Sequence, residues 1–356
     1  MAISSLLGSS ALLPAGLGFR NKIINGDMRI NQRATTYTGT GSIQYTLDRY
    51  YFYASSGTVT VSQSTNVPTG FSTSLYVNVV SGGTYSSGGN YCLLGQIIEA
   101  GGITDLSWGS SSAQTITVSF WVRSSITGTY SFAVQNHGYQ DSAYVATYTI
   151  DSANTWEYKT VRISGSTTGT WNGCSNTSYS SGGMIVGFSL GVDTNFQTES
   201  PNTWITSNRY GTPATVDLAA TTGASFYLTG LQVERNHQPT PFETRPHHVE
   251  LNMCKRYFWR CIDPAGVGVN NVGSQSTRTL IPFHTEMRSA PTTSVSGTFN
   301  FWNGNVTGTG TGLIGSFNSR NHGQVDFNGG AGAHTGCVTL YTNGGSQYLD
   351  FSAEFV

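Results

Sequence analysis

Three observations predict an all-β chain, an antiparallel jelly-roll β-sandwich followed by a smaller C-terminal β domain. Aromatic residues are abundant, with 19 Tyr, 17 Phe and 7 Trp among 356 residues, and these residue types favour strands. Only 10% of residues are charged, against roughly 25% in an ordinary soluble domain, and Gly, Ser, Thr and Asn break the apolar runs at short intervals. Those runs alternate with period two, and the first 230 or so residues hold no convincing helical window. Disorder would need few aromatics and a high net charge, so folded β structure with polar loops is expected. The formal net charge of −1 gives no electrostatic case for nucleic-acid binding.

The opening segment, Met1 to Phe19, is apolar and rich in small residues without a clear period. It reads as an anchoring peptide (residues 1–20) that docks on another protein or on neighbouring copies, or else as a disordered tail. Gly8, Pro14 and Gly16 interrupt it and no basic residue precedes it, so it suits neither a signal peptide nor a membrane span. No other stretch is long and apolar enough to enter a membrane.

The predicted sandwich covers residues 21–238. Asn25-Gly26-Asp27, flanked by Ile23, Ile24, Met28 and Ile30, predicts a tight hairpin, because Asn-Gly supplies the positive φ angles of the turn. Leu47, Tyr50 and Phe52 predict a second strand, followed by runs at Thr58–Ser62, Ser74–Val80 and Tyr91–Ile98. The cleanest alternation sets Ile116, Val118, Phe120 and Val122 on one face, and Thr117, Ser119 and Trp121 on the other. Further runs follow at Gly128–Gln135, Tyr144–Ile150, Glu157–Ser164, Met184–Val192 and Ala224–Leu231. About ten short strands with turn signals between them suit a jelly roll.

A stiff connector comes next, at 239–250, where Pro239, Pro241 and Pro246 each remove a backbone donor and fix φ. The second domain is expected at 251–356. Val249, Met253, Tyr257 and Cys261 recur every four residues, which fits a helix over His248–Cys261 or a helix running into a strand at Arg256–Ile262. Strands are predicted at Arg278–Phe283, Thr292–Trp302, Gly312–Phe317, Gly323–Phe327, Gly336–Thr342 and Tyr348–Phe355.

Chemistry-bearing motifs are sparse. Five scattered cysteines (92, 174, 254, 261 and 337) fit no zinc or redox spacing and read as free thiols of a protein made in a reducing cytosol. His247-His248 with Glu250 lacks the further ligands a metal needs, so no metal and no cofactor is expected. There is no nucleophile elbow, P-loop or HExxH, and the acidic residues stand singly rather than as the paired carboxylates of a glycosidase. Arg29, Arg33, Asp48 and Arg49 form a charged cluster that either holds the first domain against a neighbour or is solvated surface.

Several motifs carry a resemblance. NKIINGDMRINQRATT with YTLDRYYF resembles the start, and FYLTGLQVERNHQPTPFETRP the end, of a virion-associated domain of tailed-phage tail-fibre and receptor-binding proteins. ELNMCKRYFWRC, IPFHTEMRSAPT and FSAEFV resemble the C-terminal module that follows it. ITVSFWVRSSITGTYSFAVQN and NTWEYKTVRISG are similar to carbohydrate-binding-module jelly rolls. Many such modules bind a structural calcium through an Asp in the last strand; Thr229 lies there in this chain, so that calcium is not expected. The resemblance implies a non-enzymatic virion protein, a homotrimer, attached to other virion proteins through residues 1–20.

Sugar rings stack their C–H faces on exposed aromatic rings while their hydroxyls bond to amides, acids and hydroxyls. Loops of that make-up place candidate glycan-binding residues at His137, Tyr139 and Asp141, at Trp171 and Tyr179, at Trp204 and Tyr210, and in the second domain at Trp302, beside Asn303 and Asn305. Each ring competes with packing, since Trp is highly buried on average; Trp121 and Trp156, in or beside strands, are assigned to packing. Two functions remain: a fibre that displays these domains to a bacterial surface glycan, or a purely structural virion component such as a head fibre or tail adaptor. A polysaccharide depolymerase ranks third.

Overall fold

The computed structural model describes residues 19–355 apart from 34–35, 263, 265, 272–275, 303–306, 311, 329–335 and 343–346. Most of the proposed anchoring peptide, residues 1–18, and Asn303 to Asn305 beside Trp302 therefore lie outside the described residues.

The first part of the chain supplies β1 (Tyr37–Gly39), β2 (Gln44–Tyr45), β3 (Tyr51–Ala54), β4 (Thr58–Ser64), β5 (Ser74–Ser81), β6 (Tyr91–Glu99) and β7 (Ile116–Ser124). It continues with β8 (Gly128–Asn136), β9 (Ala143–Ile150), β10 (Glu157–Ile163), β11 (Gly182–Val192), β12 (Trp204–Ile205) and β13 (Ser225–Glu234). One sheet has the order β1-β4-β5-β13-β7-β10 and the other β12-β9-β8-β11-β6-β3-β2. Neighbours pair antiparallel, as with Phe120 opposite Lys159 and Phe188 opposite Phe132. The alternation in β7 works as predicted: Ile116, Val118, Phe120 and Val122 are all buried between the sheets. There Phe120 meets Phe132, Tyr148 and Phe188 edge-on, with ring centroids 5.0–5.8 Å apart. Each such side chain contributes roughly 1.5–3 kcal/mol by leaving water.

The start of the sandwich departs from the predicted hairpin. Residues 21–33 form no strand; Asn25 and Met28 take φ of 61° and 60°, and the segment coils into the end of the sandwich. The Asn25 amide donates to the carbonyls of Ile30 (2.8 Å) and Asp48 (3.1 Å) and accepts from Ile30 N–H (2.9 Å). Satisfying a buried amide this way replaces the ladder that a hairpin would have made. The Gly26 carbonyl accepts from Leu231 N–H at 2.9 Å, and a Cβ on Gly26 would sit 2.3 Å from the Leu231 oxygen. The Asn-Gly signal thus marks a close backbone approach, which only glycine permits.

Between β13 and the helix α1 (His247–Lys255) the chain has no regular structure. Then come β14 (Phe258–Ile262), β15 (Gly266–Asn271), β16 (Ser276–Pro282), β17 (Thr292–Ser296), β18 (Phe299–Trp302) and β19 (Thr307–Gly310). The chain closes with β20 (Gly312–Asn318), β21 (His322–Asn328), β22 (Gly336–Tyr341) and β23 (Tyr348–Ser352). Helix and strand readings of 248–261 are both realised, one after the other. This smaller β part has a three-stranded sheet, β14-β23-β17, and a second in the order β19-β18-β22-β15-β16-β21-β20. Its core gathers Trp259, Met287, Phe299, Phe301, Phe327, Leu340 and Phe351.

The charged cluster is not solvated surface. Asp48 and Arg49 are buried, and Arg49 pairs with Glu354 in the C-terminal tail. The Arg49 guanidinium also lies 3.4 Å from the centroid of the Tyr257 ring. Arg33 reaches Glu354 at 3.4 Å, and Asp48 accepts from the backbone and side chain of Gln32, both at 2.6 Å. A second buried set, around Arg245, binds the connector to the chain start. Arg245 donates to the Ile23 carbonyl (3.1 Å) and to Glu250 (3.2 Å), and pairs with Glu243 (3.2 Å). Glu250, considered above for metal ligation with His247 and His248, is committed to this network.

Candidate functional site

The outer face of the seven-stranded sheet carries a groove of about 170 Å³. Its floor follows from period two. In β3, Phe52 and Ala54 point to the core while Tyr51 and Tyr53 point outward; in β6, Cys92 and Leu94 point inward while Tyr91 and Leu93 point outward. Tyr53 is 4.7 Å from Tyr91 and Tyr91 is 5.1 Å from Tyr210, centroid to centroid, so three phenol rings form a continuous wall. Phe196 backs it, 4.9 Å from Tyr91 and 5.4 Å from Tyr210. His137, Gln140 and Phe355 also line it, with the His137 ring 5.7 Å from Phe355.

The groove is electrically neutral. Its eleven lining residues include no Asp, Glu, Lys or Arg. Burial, helped by the nearby Tyr210 and Tyr53 hydroxyls, pushes the Tyr91 phenol up to about 12, and burial also raises Tyr51 and Tyr210. Burial, with a smaller contribution from the Arg288 charge, lowers His137 below its usual value. At neutral pH these groups therefore present uncharged rings and hydroxyls. Such a surface can stack an apolar ring face and exchange hydrogen bonds at its rim.

The sequence candidates separate on this map. His137 and Tyr210 meet at the groove, and Gln140, in the same loop as Tyr139 and Asp141, joins them. Gln140 is held by Asn208, which donates to its side-chain oxygen at 3.0 Å. Asp141 shapes the loop by accepting from the Asn136 amide and, at 3.4 Å, from Thr170 N–H. Trp171, predicted on an open loop, is fully buried. It packs edge-on against Trp108 (4.7 Å) and Trp204 (5.7 Å), because three indoles close the end of the sandwich and each N–H finds a carbonyl, those of Gln114, Thr168 and Ser164. Trp204 is half-buried in that cluster rather than in the groove. Tyr139, Tyr179 and Trp302 each leave about half their surface in solvent. Tyr51, Tyr53, Tyr91 and Phe355 were missed; the signal available for the three tyrosines was a pair of strands, β3 and β6, apolar on both faces, and Phe355, beyond the last strand, offered none.

Among the described residues no group of three or more His, Cys, Asp or Glu could hold a metal ion, and no helix is long and apolar enough to cross a membrane. No protein-family model matches the chain. No curated protein matches it either. Solved structures show a distant likeness. A putative sugar-binding protein from Bacteroides thetaiotaomicron is 10% identical with a TM-score of 0.33 and matches over 61% of this chain and 100% of its own. The family 11 carbohydrate-binding module of Clostridium thermocellum is 13% identical with a TM-score of 0.28, over 57% of this chain and 98% of its own. The enzymatically active domain of bacteriophage CBA120 tailspike protein 4 is 12% identical with a TM-score of 0.30; 60% of this chain matches, spanning only 21% of that one. The sandwich assignment itself rests on the sheet order and core given above.

Proposed function

We propose that this protein is a non-enzymatic fibre component of a phage particle, and that the groove of Tyr53, Tyr91 and Tyr210 binds a neutral glycan of the bacterial surface. The observation that carries the glycan reading is the uncharged wall of three phenol rings in a groove that His137 and Gln140 also line. Rings on a rigid sheet bind with little loss of conformational freedom, which favours affinity for a flexible sugar chain. The virion reading is supported by the tail-fibre-like motifs at the two ends of the sandwich and in the C-terminal module. On this proposal the chain acts as a homotrimer attached through residues 1–20, with domains at 21–238 and 251–356 about the proline connector.

The test is adsorption of the purified protein to host cells and to arrayed glycans, with Tyr53→Ala and Tyr91→Ala alongside. Saturable binding that both variants weaken about tenfold supports the proposal. A protein that binds no host surface, yet still assembles into particles, is the purely structural component instead.

A further inference from the structure

The opposite face of the sandwich carries a second aromatic site. On the outside of the six-stranded sheet, Trp121 of β7 lies directly across from Tyr158 of β10, and two positions along Ser119 lies across from Thr160. The first pair brings two rings together, 5.3 Å apart and inclined at 46°; the second brings two hydroxyl side chains beside them. At the neighbouring strand β13 a bulge between Thr229 and Gln232 breaks the register. There Gly230, at φ +62°, lets the Phe71 ring pack directly on the backbone beside Trp121; a Cβ would sit 2.7 Å from Phe71 and 3.2 Å from Trp121. The connector supplies the far wall, with Pro241 and Phe242, the latter edge-on to Phe71 at 5.3 Å. The result is an open slot of about 260 Å³. Further along the face, Arg123 lies over the Tyr227 ring at 5.0 Å and Trp156 packs against that ring at 6.0 Å, so this end is closed by the protein's own side chains.

We infer that this slot is a second carbohydrate site, taking one pyranose ring of a neutral glycan between Trp121–Tyr158 and Phe71–Phe242. The slot lies just below the roughly 300–1,000 Å³ of ordinary small-ligand pockets, which suits one ring rather than a long chain segment. Rings alternating with hydroxyls match a sugar, whose C–H face stacks while its edge hydrogen-bonds. Beside the rings, Tyr158 and Thr160 are open to solvent, so sugar hydroxyls find partners at the rim of the slot; a second copy of the chain is an outcome of the test below. The slot and the groove lie on opposite faces, so two strands of a surface polysaccharide can be held at once, with avidity beyond either site.

The experiment is electrophoresis of the full chain through gels containing xylan, mannan, galactan, dextran or mixed-linkage glucan, with sedimentation of the same samples. Wild type, Trp121→Ala, Tyr158→Ala and the groove variant Tyr53→Ala are compared. Tyr158 is 44% exposed on an edge strand, so its loss leaves the core intact. We expect at least one polysaccharide to retard the wild type, with Trp121→Ala and Tyr158→Ala each weakening that effect roughly tenfold. Retardation lost only in Tyr53→Ala overturns the second site and leaves the groove standing; retardation lost only in the Trp121 and Tyr158 variants does the reverse. Retardation by no polysaccharide, or a change in sedimenting mass with Trp121→Ala, overturns the inference and, in the latter case, makes the face a contact between copies.

Discussion

Arg49 and Glu354, 305 positions apart, form an ion pair from which water is almost wholly excluded, with 1% and 3% of their side chains exposed. The pair fixes the tail, and the tail fixes the groove, since Phe355 next to Glu354 is a groove wall. Arg288 clamps the same tail by donating to the carbonyls of Ala353 (2.7 Å) and Glu354 (3.0 Å).

Replacing one partner of such a pair strands a buried charge. Glu354→Ala is expected to lower stability by about 3–5 kcal/mol, read from the denaturant midpoint. A loss below 1 kcal/mol would mean that water reaches Arg49.

Trp171 is expected to matter for folding and not for binding. Trp171→Ala should cost about 3–5 kcal/mol through the cavity it leaves between Trp108 and Trp204. Trp171→Phe, which keeps much of the packing, should bind glycan as the wild type does. Weaker binding by a stably folded Trp171→Phe would restore this residue to the site.

His137 gives the groove a pH dependence. Its pKa is lower in the folded chain than in the unfolded one, so between the two values the unfolded chain holds more protons. Stability is then full above the ordinary histidine value of about 6.5 and falls as the pH drops through it towards the folded pKa. An NMR titration should place His137 below 6.5, and His137→Asn should flatten that part of the stability profile.

Thiol reactivity should follow burial. Cys92 and Cys254 are buried, and burial drives both thiols well above their usual range. Cys337 is exposed. A disulfide reagent should therefore modify Cys337 first in the native protein and reach Cys92 and Cys254 only on unfolding. Rapid native labelling of Cys92 would show that the sandwich opens locally.

The strands were legible where apolar and polar side chains alternate, as in β7, because period two then shows directly in the residues even though Thr117 and Ser119 of its polar face are themselves buried. At Asn25-Gly26 the same local signal supports two backbones, a hairpin turn and a glycine pressed against Leu231, and only the distant strand decides between them. β15, with the sequence GVGVNN, offered too little side chain to be read. The site was legible only in part for a related reason. His137 and Tyr210 sit in loops of sugar-binding make-up, whereas Tyr53 and Tyr91 lie on strands apolar on both faces, where the pattern does not show which face stays open. Trp171 misled because an aromatic residue among Gly, Asn and Ser reads as an open loop even where three indoles gather.

The long reach between Arg49 and Glu354 also has a consequence in time. At roughly 5–20 residues per second, the ribosome delivers the carboxylate about 15–60 s after the guanidinium it must neutralise. Throughout that interval the nascent sandwich carries a cation at a position that the finished molecule keeps dry. Until the tail arrives that cation is left to water, and the site becomes dry only when Glu354 covers it.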